Sequence, residues 1–308
     1  MRDIILRTEN LKKVYGTFVA LDDFECEIPE GVTGLLGPNG AGKTTFIRSL
    51  LGIHPIEHGR ILFEDWELPR DIVKAKDYIG YQPELPTQIN RISAMKYVAH
   101  MGRMSGLPRE AAIQRGFDTL HYVGLEEARY REMQTFSQGM LQKVKLAAAL
   151  VHDPLLLILD EPTAGCDPDS REAILSLIED LGQNYGKNLL ISTHLLPDIE
   201  RTSNYVVVMS EGRRIMQGDI SNVLARTGEQ IRYDIRTSGD HAAFAEVLRK
   251  HGYHILDVTF TSISCMITSG EKLNTQEIFR LARQNEQNIR MLTPYRLTLE
   301  DVFVEVVQ

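Results

Sequence analysis

Gly37-Pro38-Asn39-Gly40-Ala41-Gly42-Lys43-Thr44 fits the pattern G-x-x-x-x-G-K-[ST], a loop that cradles the phosphates of a nucleoside triphosphate. Each residue type has a physical task. Glycines let the backbone fold back so that successive N–H groups converge on the anion, where a Cβ would obstruct. Lys43 reaches the β- and γ-phosphates as a point charge, and the Thr44 hydroxyl is a ligand for Mg2+. Before the loop, Val32-Thr33-Gly34-Leu35-Leu36 reads as a short buried strand. After it, Thr45-Phe46-Ile47-Arg48-Ser49-Leu50-Leu51 reads as a helix, so the loop opens onto a helix N-terminus, which favours an anion. Thr45 is counted with the loop as part of the phosphate site.

Strands and helices alternate outward from this loop. Leu155-Leu156-Leu157-Ile158-Leu159 is apolar on both faces, as a central parallel strand is, and Asp160-Glu161-Pro162 ends it. Leu189-Leu190-Ile191-Ser192-Thr193 is a second such run, with His194 directly after. Tyr78-Ile79-Gly80-Tyr81-Gln82 is a third, stopped by Pro83 and Pro86 because proline cannot donate to a strand ladder. Ile92 to about Val123 has the pattern of two amphipathic helices broken at Gly106-Leu107-Pro108. Another helix starts at Ser137, a capping residue, with Leu141, Val144, Ala148 and Val151 at helical spacing. A further helix is expected near Arg171 to Asn184.

Residues 4 to 31 read as antiparallel strands: Ile4-Ile5-Leu6, then Phe18 to Leu21 and Phe24 to Ile28 before a turn at Pro29-Glu30-Gly31. Gly59 to Phe63 is one more strand, and Tyr205 to Met209 with Arg213 to Gln217 forms a hairpin around Glu211-Gly212. The whole predicts an α/β domain with a mainly parallel core sheet. Ligands of such sheets bind beyond the carboxyl ends of the strands. Gly37 to Thr44, Gln82, Asp160, Glu161 and His194 all fall at those ends.

Beyond about Glu229 the texture changes. Ile231 to Arg236, Ile255 to Phe260, Ile263 to Thr268 and Asn288 to Leu292 are strand-like, while His241 to Lys250 and Thr275 to Arg283 are helical. The order β-α-β-β-α-β predicts a small α+β domain of ferredoxin-like type. Thr298-Leu299-Glu300-Asp301 then opens a last helix, with Thr298 as its cap and acids at its positive end. The domain boundary is expected between residues 226 and 227, giving 1–226 and 227–308.

The formal net charge of -8 lacks the basic footprint of a nucleic-acid binder, so no nucleic-acid partner is expected. Cys26, Cys166 and Cys265 are far apart and in no C-x-x-C, which argues against a disulfide scaffold or zinc site and fits a reducing cytosol. Met1 to Arg7 lacks the apolar core of a signal peptide, and no apolar run reaches the roughly 18 residues of a membrane span. Any action at a membrane is expected to need another chain.

The acidic pair has two distinct tasks open to it. Asp160 is suited to hold Mg2+ directly or through water, and Glu161 to orient and activate the attacking water. Gln82 offers an amide to metal and water, and His194 stands at the edge where a γ-phosphate would lie.

Phe136-Ser137-Gln138-Gly139-Met140, followed soon by strand, Asp160 and Glu161, resembles the signature motif of the ABC ATPases, usually L-S-G-G-Q. It departs at Phe136, Gln138 and Met140 and retains the hydroxyl of Ser137 and the glycine at 139, while Gln142 and Lys143 resemble the usual polar continuation. Other marks are similar in order and spacing. Tyr15 resembles the aromatic on which adenine stacks, Gln82 the Q-loop, Gly165-Cys166-Asp167 the D-loop and His194 the switch histidine. The resemblance covers about residues 4 to 226. It implies a P-loop ABC ATPase with a parallel core sheet, an antiparallel β subdomain and a helical subdomain. The ending Leu297 to Phe303 looks like the tail of bacterial antibiotic and multidrug export ATPases.

The resemblance further implies ATP and Mg2+ as ligands and a site shared between two ATPase chains, identical or not. One supplies Lys43, Thr44, Gln82, Asp160, Glu161 and His194; Ser137 and Gly139 of the other close over the γ-phosphate, with Asp167 beside them. The segment around residues 85 to 130 would dock on integral-membrane permease subunits, holding the chain at the cytoplasmic face of the membrane. A second reading, a soluble ABC ATPase acting in translation, DNA maintenance or complex assembly without a permease, is disfavoured by the acidic total, the single ATPase domain and the lack of a long coiled coil between the motifs. A GTPase is disfavoured because no guanine-reading N-K-x-D occurs. The small second domain is expected to be a dimer-stabilising appendage rather than a ligand sensor.

Overall fold

The computed structural model describes residues 3–84, 91–223, 230–259, 262–268 and 275–295. The chain divides into two compact units, Met1–Ile220 and Ser221–Gln308. The boundary expected from sequence, 226/227, lies outside the described residues, as do Pro86, the start of the 85–130 segment and the helix expected from Thr298.

The first unit begins with strands β1 (Ile4–Tyr15), β2 (Phe18–Pro29) and β3 (Val32–Leu36), then helix α1 (Lys43–Leu50). Strands β4 (His58–Phe63) and β5 (Trp66–Leu68) follow, with the short helix α2 (Ile72–Ala75) and strand β6 (Ile79–Gln82). Helices α3 (Ala94–Met104), α4 (Arg109–Tyr122) and α5 (Gln138–Leu150) come next. Strand β7 (Leu156–Asp160), helix α6 (Pro168–Gln183), strand β8 (Asn188–Thr193) and helix α7 (Leu196–Thr202) complete the alternation. The hairpin β9 (Tyr205–Ser210) and β10 (Arg213–Asp219) closes it.

Six of these strands form one sheet in the order β10-β9-β3-β8-β7-β6. All neighbours are parallel except β9 with β10. β3 and β7 are buried at every position, which is why their sequences are continuous apolar runs rather than alternations. The other sheet is antiparallel, in the order β2-β1-β4-β5. The sequence pattern divided its first two strands into shorter pieces. Each is instead a twelve-residue strand, and register shifts along their pairing absorb the breaks in alternation.

A core of Ile5, Leu21, Phe24, Phe46, Phe63, Leu35, Ile158, Leu190 and Val207, among others, joins the two sheets through α1. Phe24 of β2 and Phe46 of α1 are fully buried with ring centroids 5.0 Å apart. Burying such a side chain contributes roughly 1.5–3 kcal/mol, so the helix behind the glycine-rich loop is held against two sheets at once. Helices α3, α4 and α5 pack on one another, and α5 also packs on β6, β7 and α6. Helix α6 starts three residues earlier than the sequence pattern placed it, because the Asp167 carboxylate caps it on the Ser170 N–H at 2.9 Å and Pro168 occupies its first turn.

In the second unit the described elements are β11 (Gln230–Thr237), α8 (His241–Lys250), β12 (His254–Val258), β13 (Ile263–Thr268), α9 (Thr275–Gln284) and β14 (Ile289–Tyr295). They follow the order read from sequence and make an antiparallel sheet β12-β13-β11-β14. Ile235, Ile263 and Cys265 of the sheet share a core with Phe244 and Leu248 of α8 and Ile278 and Leu281 of α9. Asp240 caps α8 on the N–H groups of Ala242 and Ala243.

Candidate active site

The loop after β3 wraps a cavity of ≈ 270 Å³ lined by Asn39, Gly40, Ala41, Gly42, Lys43, Thr44 and Thr45, with Phe18, Ala20, Glu84 and Glu161 around it. Gly42 caps α1 at φ +103, and a Cβ there would sit 2.7 Å from the Ala20 carbonyl. Backbone conformation and close approach both require glycine at that point. Lys43 is buried and donates to the carbonyls of Gly37 at 2.6 Å and Pro38 at 3.2 Å. Its ammonium is 3.8 Å from Glu161, also buried. Burial pulls the Lys43 pKa down from its ordinary value, while Glu161, Asp160 and Glu84 oppose that shift.

The parallel register of β6, β7 and β8 brings the other predicted groups to the same edge. Asp160, fully buried, accepts hydrogen bonds from Ser192 Oγ and, at 3.5 Å, from Thr44 Oγ1. Its Oδ2 has no partner, and neither has the buried Oε1 of Gln82. With the Thr44 hydroxyl these are the hard oxygen donors that a small divalent cation takes. Glu161 sits at φ +48, a strained conformation for a residue with a Cβ, and its N–H donates to Ser192 O at 3.0 Å. His194 Nδ1 lies 3.1 Å from both carboxylate oxygens of Glu161.

Tyr15 does not line this cavity. It pairs with Phe18 across the turn between β1 and β2, half exposed, with its ring edge-on to His54 and the Lys13 ammonium 5.0 Å from its centroid. Ser137, Gly139 and Asp167 do not line it either. Ser137 caps α5 on Met140 N at 3.3 Å. At Gly139 an added Cβ would fall 2.3 Å from Ser170 Oγ, a hydroxyl that donates to Asp167 at 2.7 Å. Within one chain this group is therefore knitted to itself.

The sequence reading missed several participants. Phe18 and Glu84 line the cavity, and Ser192 bonds the Asp160 carboxylate. The place of Ser192, two residues before His194 at a strand end, was a usable signal for it. Gln142 of α5 figures in the sequence only as part of the polar continuation of the signature-like segment, and Lys145 has no signal: Gln142 accepts from Gln82 Nε2 at 2.8 Å, and Lys145 donates to Pro83 O at 2.7 Å and Glu84 O at 3.0 Å. Burial pushes the Lys145 pKa from the usual 10.5 down to about 8. An unfolded chain keeps that proton to higher pH, so above pH 8 it binds more protons than the folded chain and folded stability rises with pH. The stability difference between wild type and Lys145→Met should accordingly shift in favour of wild type from about pH 7 to about pH 10 in parallel urea titrations. A difference that is flat or moves the other way refutes the assignment.

The model of the ABC transporter family matches residues 21–164. The linearmycin resistance ATP-binding protein LnrL of Bacillus subtilis (strain 168) is 33% identical over 264 residues, covering 85% of this chain and 84% of its own. The bacitracin transport ATP-binding protein BcrA of Enterococcus faecalis is 28% identical over 306 residues, 99% of this chain and 97% of its own. Among solved structures, cbiO1 from Clostridium perfringens, part of the ABC transporter complex cbiONQ, matches with a TM-score of 0.64 and 31% identity, covering 73% of this chain and 95% of that one. On the strength of these similarities the chain belongs to the ATP-binding, ATP-hydrolysing subunits of ABC transporters.

Proposed function

We propose that two such ATPase chains close around ATP, that hydrolysis releases them, and that this cycle drives a separate membrane permease in export. One observation carries the reading: Lys43, Thr44, Asp160 and Glu161 meet at one cradle, while the Ser137-capped helix and Gly139 are not part of that cradle. A capped helix N-terminus still presents free N–H groups suited to an anion, and a second copy can bring it over the γ-phosphate. Among the described residues no helix is long and apolar enough to cross a membrane. The permease is therefore assigned to another chain, with this one bound at the cytoplasmic face through it. Relatives named for linearmycin resistance and Nod factor export support the outward direction.

Each residue then has a task. Lys43 exchanges its loop carbonyls for phosphate oxygens. Thr44, Asp160 and Gln82 fit Mg2+, which would supply charge neutralisation along the phosphates. Glu161 aligns and deprotonates the attacking water, and His194 holds the Glu161 carboxylate. Tyr15, at the hairpin end, is the proposed platform for the base. Catalysis here is alignment and charge stabilisation without a covalent intermediate.

The full chain with a slowly hydrolysed ATP analogue and Mg2+ should pass from monomer to dimer in light scattering, and its specific ATPase activity should rise with protein concentration. A chain that stays monomeric with nucleotide bound, and whose activity per molecule is independent of concentration, overturns the shared site.

A further inference from the structure

Gln142 stands on α5 behind Gln82, and both are 1% exposed. Its Nε2 donates to the carbonyl of Ala164 at 3.1 Å, and its Oε1 accepts from Gln82 Nε2 at 2.8 Å. A backbone carbonyl only accepts, so Ala164 dictates that the amino end of the Gln142 amide faces it. The oxygen end is then left toward Gln82 and requires a donor, which in a glutamine amide is the amino group alone. Oε1 of Gln82 is thereby the free end, and it is the atom found buried without a partner. Reversing either amide would set oxygen against oxygen or amino against amino in a buried site, leaving desolvated groups unpaired. One turn further along α5, Lys145 pins the two carbonyls that follow Gln82.

We propose that Gln142 is a positioning residue: relayed from the Ala164 carbonyl, it fixes the polarity of the Gln82 side chain so that Oε1 is the end offered as a ligand, while Lys145 anchors the strand end that carries it. This rests on the reading of Gln82 as a ligand of the nucleotide-bound cation. The relay runs from the loop after Glu161, through the helix that Ser137 caps, to the end of β6. A change in any of the three reaches the same oxygen.

Mn2+ bound to the full chain with a non-hydrolysable ATP analogue, titrated by electron paramagnetic resonance, tests it apart from turnover. Gln142→Met, near in volume and unable to relay, should weaken Mn2+ binding about tenfold, the low end of what removing a ligand's supporting partner costs. Gln82→Ala should weaken it comparably, and the double variant should be no worse than Gln82→Ala alone, since both act through one oxygen. Additive losses, or an unchanged Gln142→Met, overturn the positioning role while leaving Gln82 as a ligand. An unchanged Gln82→Ala overturns the ligand reading and the relay with it. Should Gln142→Met not fold, Lys145→Met loosens the same strand end and must show the same non-additivity with Gln82→Ala.

Discussion

Glu161→Gln should lower ATP turnover by about 10²–10⁴-fold while ATP still binds, the loss expected when a positioned general base is removed. The substitution is isosteric. It leaves the backbone bond to Ser192 and one side-chain oxygen for the His194 ring, so the site keeps its shape while losing the proton acceptor and the negative charge beside Lys43. The position matters as much as the charge. Glu161 is held at φ +48 between the Lys43 ammonium on one side and the His194 ring on the other, a strained placement that fixes where the carboxylate points. With hydrolysis blocked and binding intact, ATP-bound dimers should accumulate in the variant and persist on a sizing column. Steady-state turnover within about threefold of wild type would remove Glu161 from the role of base and leave water activation to another group.

Lys43→Met is expected to cost turnover about 10²–10³-fold, as removal of one charge-stabilising donor does, and to differ from Glu161→Gln by weakening ATP binding as well. The ammonium is held by the carbonyls of Gly37 and Pro38 inside its own loop. On the proposed reading, phosphate oxygens would replace those neutral acceptors with charged ones in a site where Lys43 is only 7% exposed. Hydrogen bonds to charged groups contribute roughly 1.5–3 kcal/mol net, which corresponds to about 10–150-fold in ATP affinity. Equilibrium binding of a fluorescent ATP analogue separates the two variants: Glu161→Gln binds like wild type and Lys43→Met does not. Affinity within about threefold of wild type would show that the loop backbone alone holds the phosphates.

Much of the fold could be read because each of its signals is local. A capping serine at 137, the apolar run from Leu156 to Leu159 and the glycine-rich run before α1 each declare an element through residues a few positions apart. Their order alone predicted the parallel sheet and the edge where Gln82, Asp160, Glu161 and His194 gather. Boundaries were less legible. The start of α6 waited on the Asp167 cap, and β1 and β2 ran through positions where alternation fails because a bulged ladder tolerates an extra residue.

Sequence alone, then, nominated the residues for the proposed chemistry: a lysine and glycines for phosphate, an acid pair for metal and water, a histidine at the neighbouring strand end. Periodicity reports which face of an element is buried, and motifs report which residues share a loop. Neither says which buried polar atom meets which across sixty positions of chain. That Gln142 and not solvent faces Gln82, that Lys145 holds the carbonyls beyond it, that Phe18 rather than Tyr15 lines the cradle, and that Gly139 makes room for Ser170 are consequences of helix packing on sheet edges. Only the folded chain decides them, because a hydrogen bond is set by ångström distances and donor direction that no one-dimensional pattern encodes.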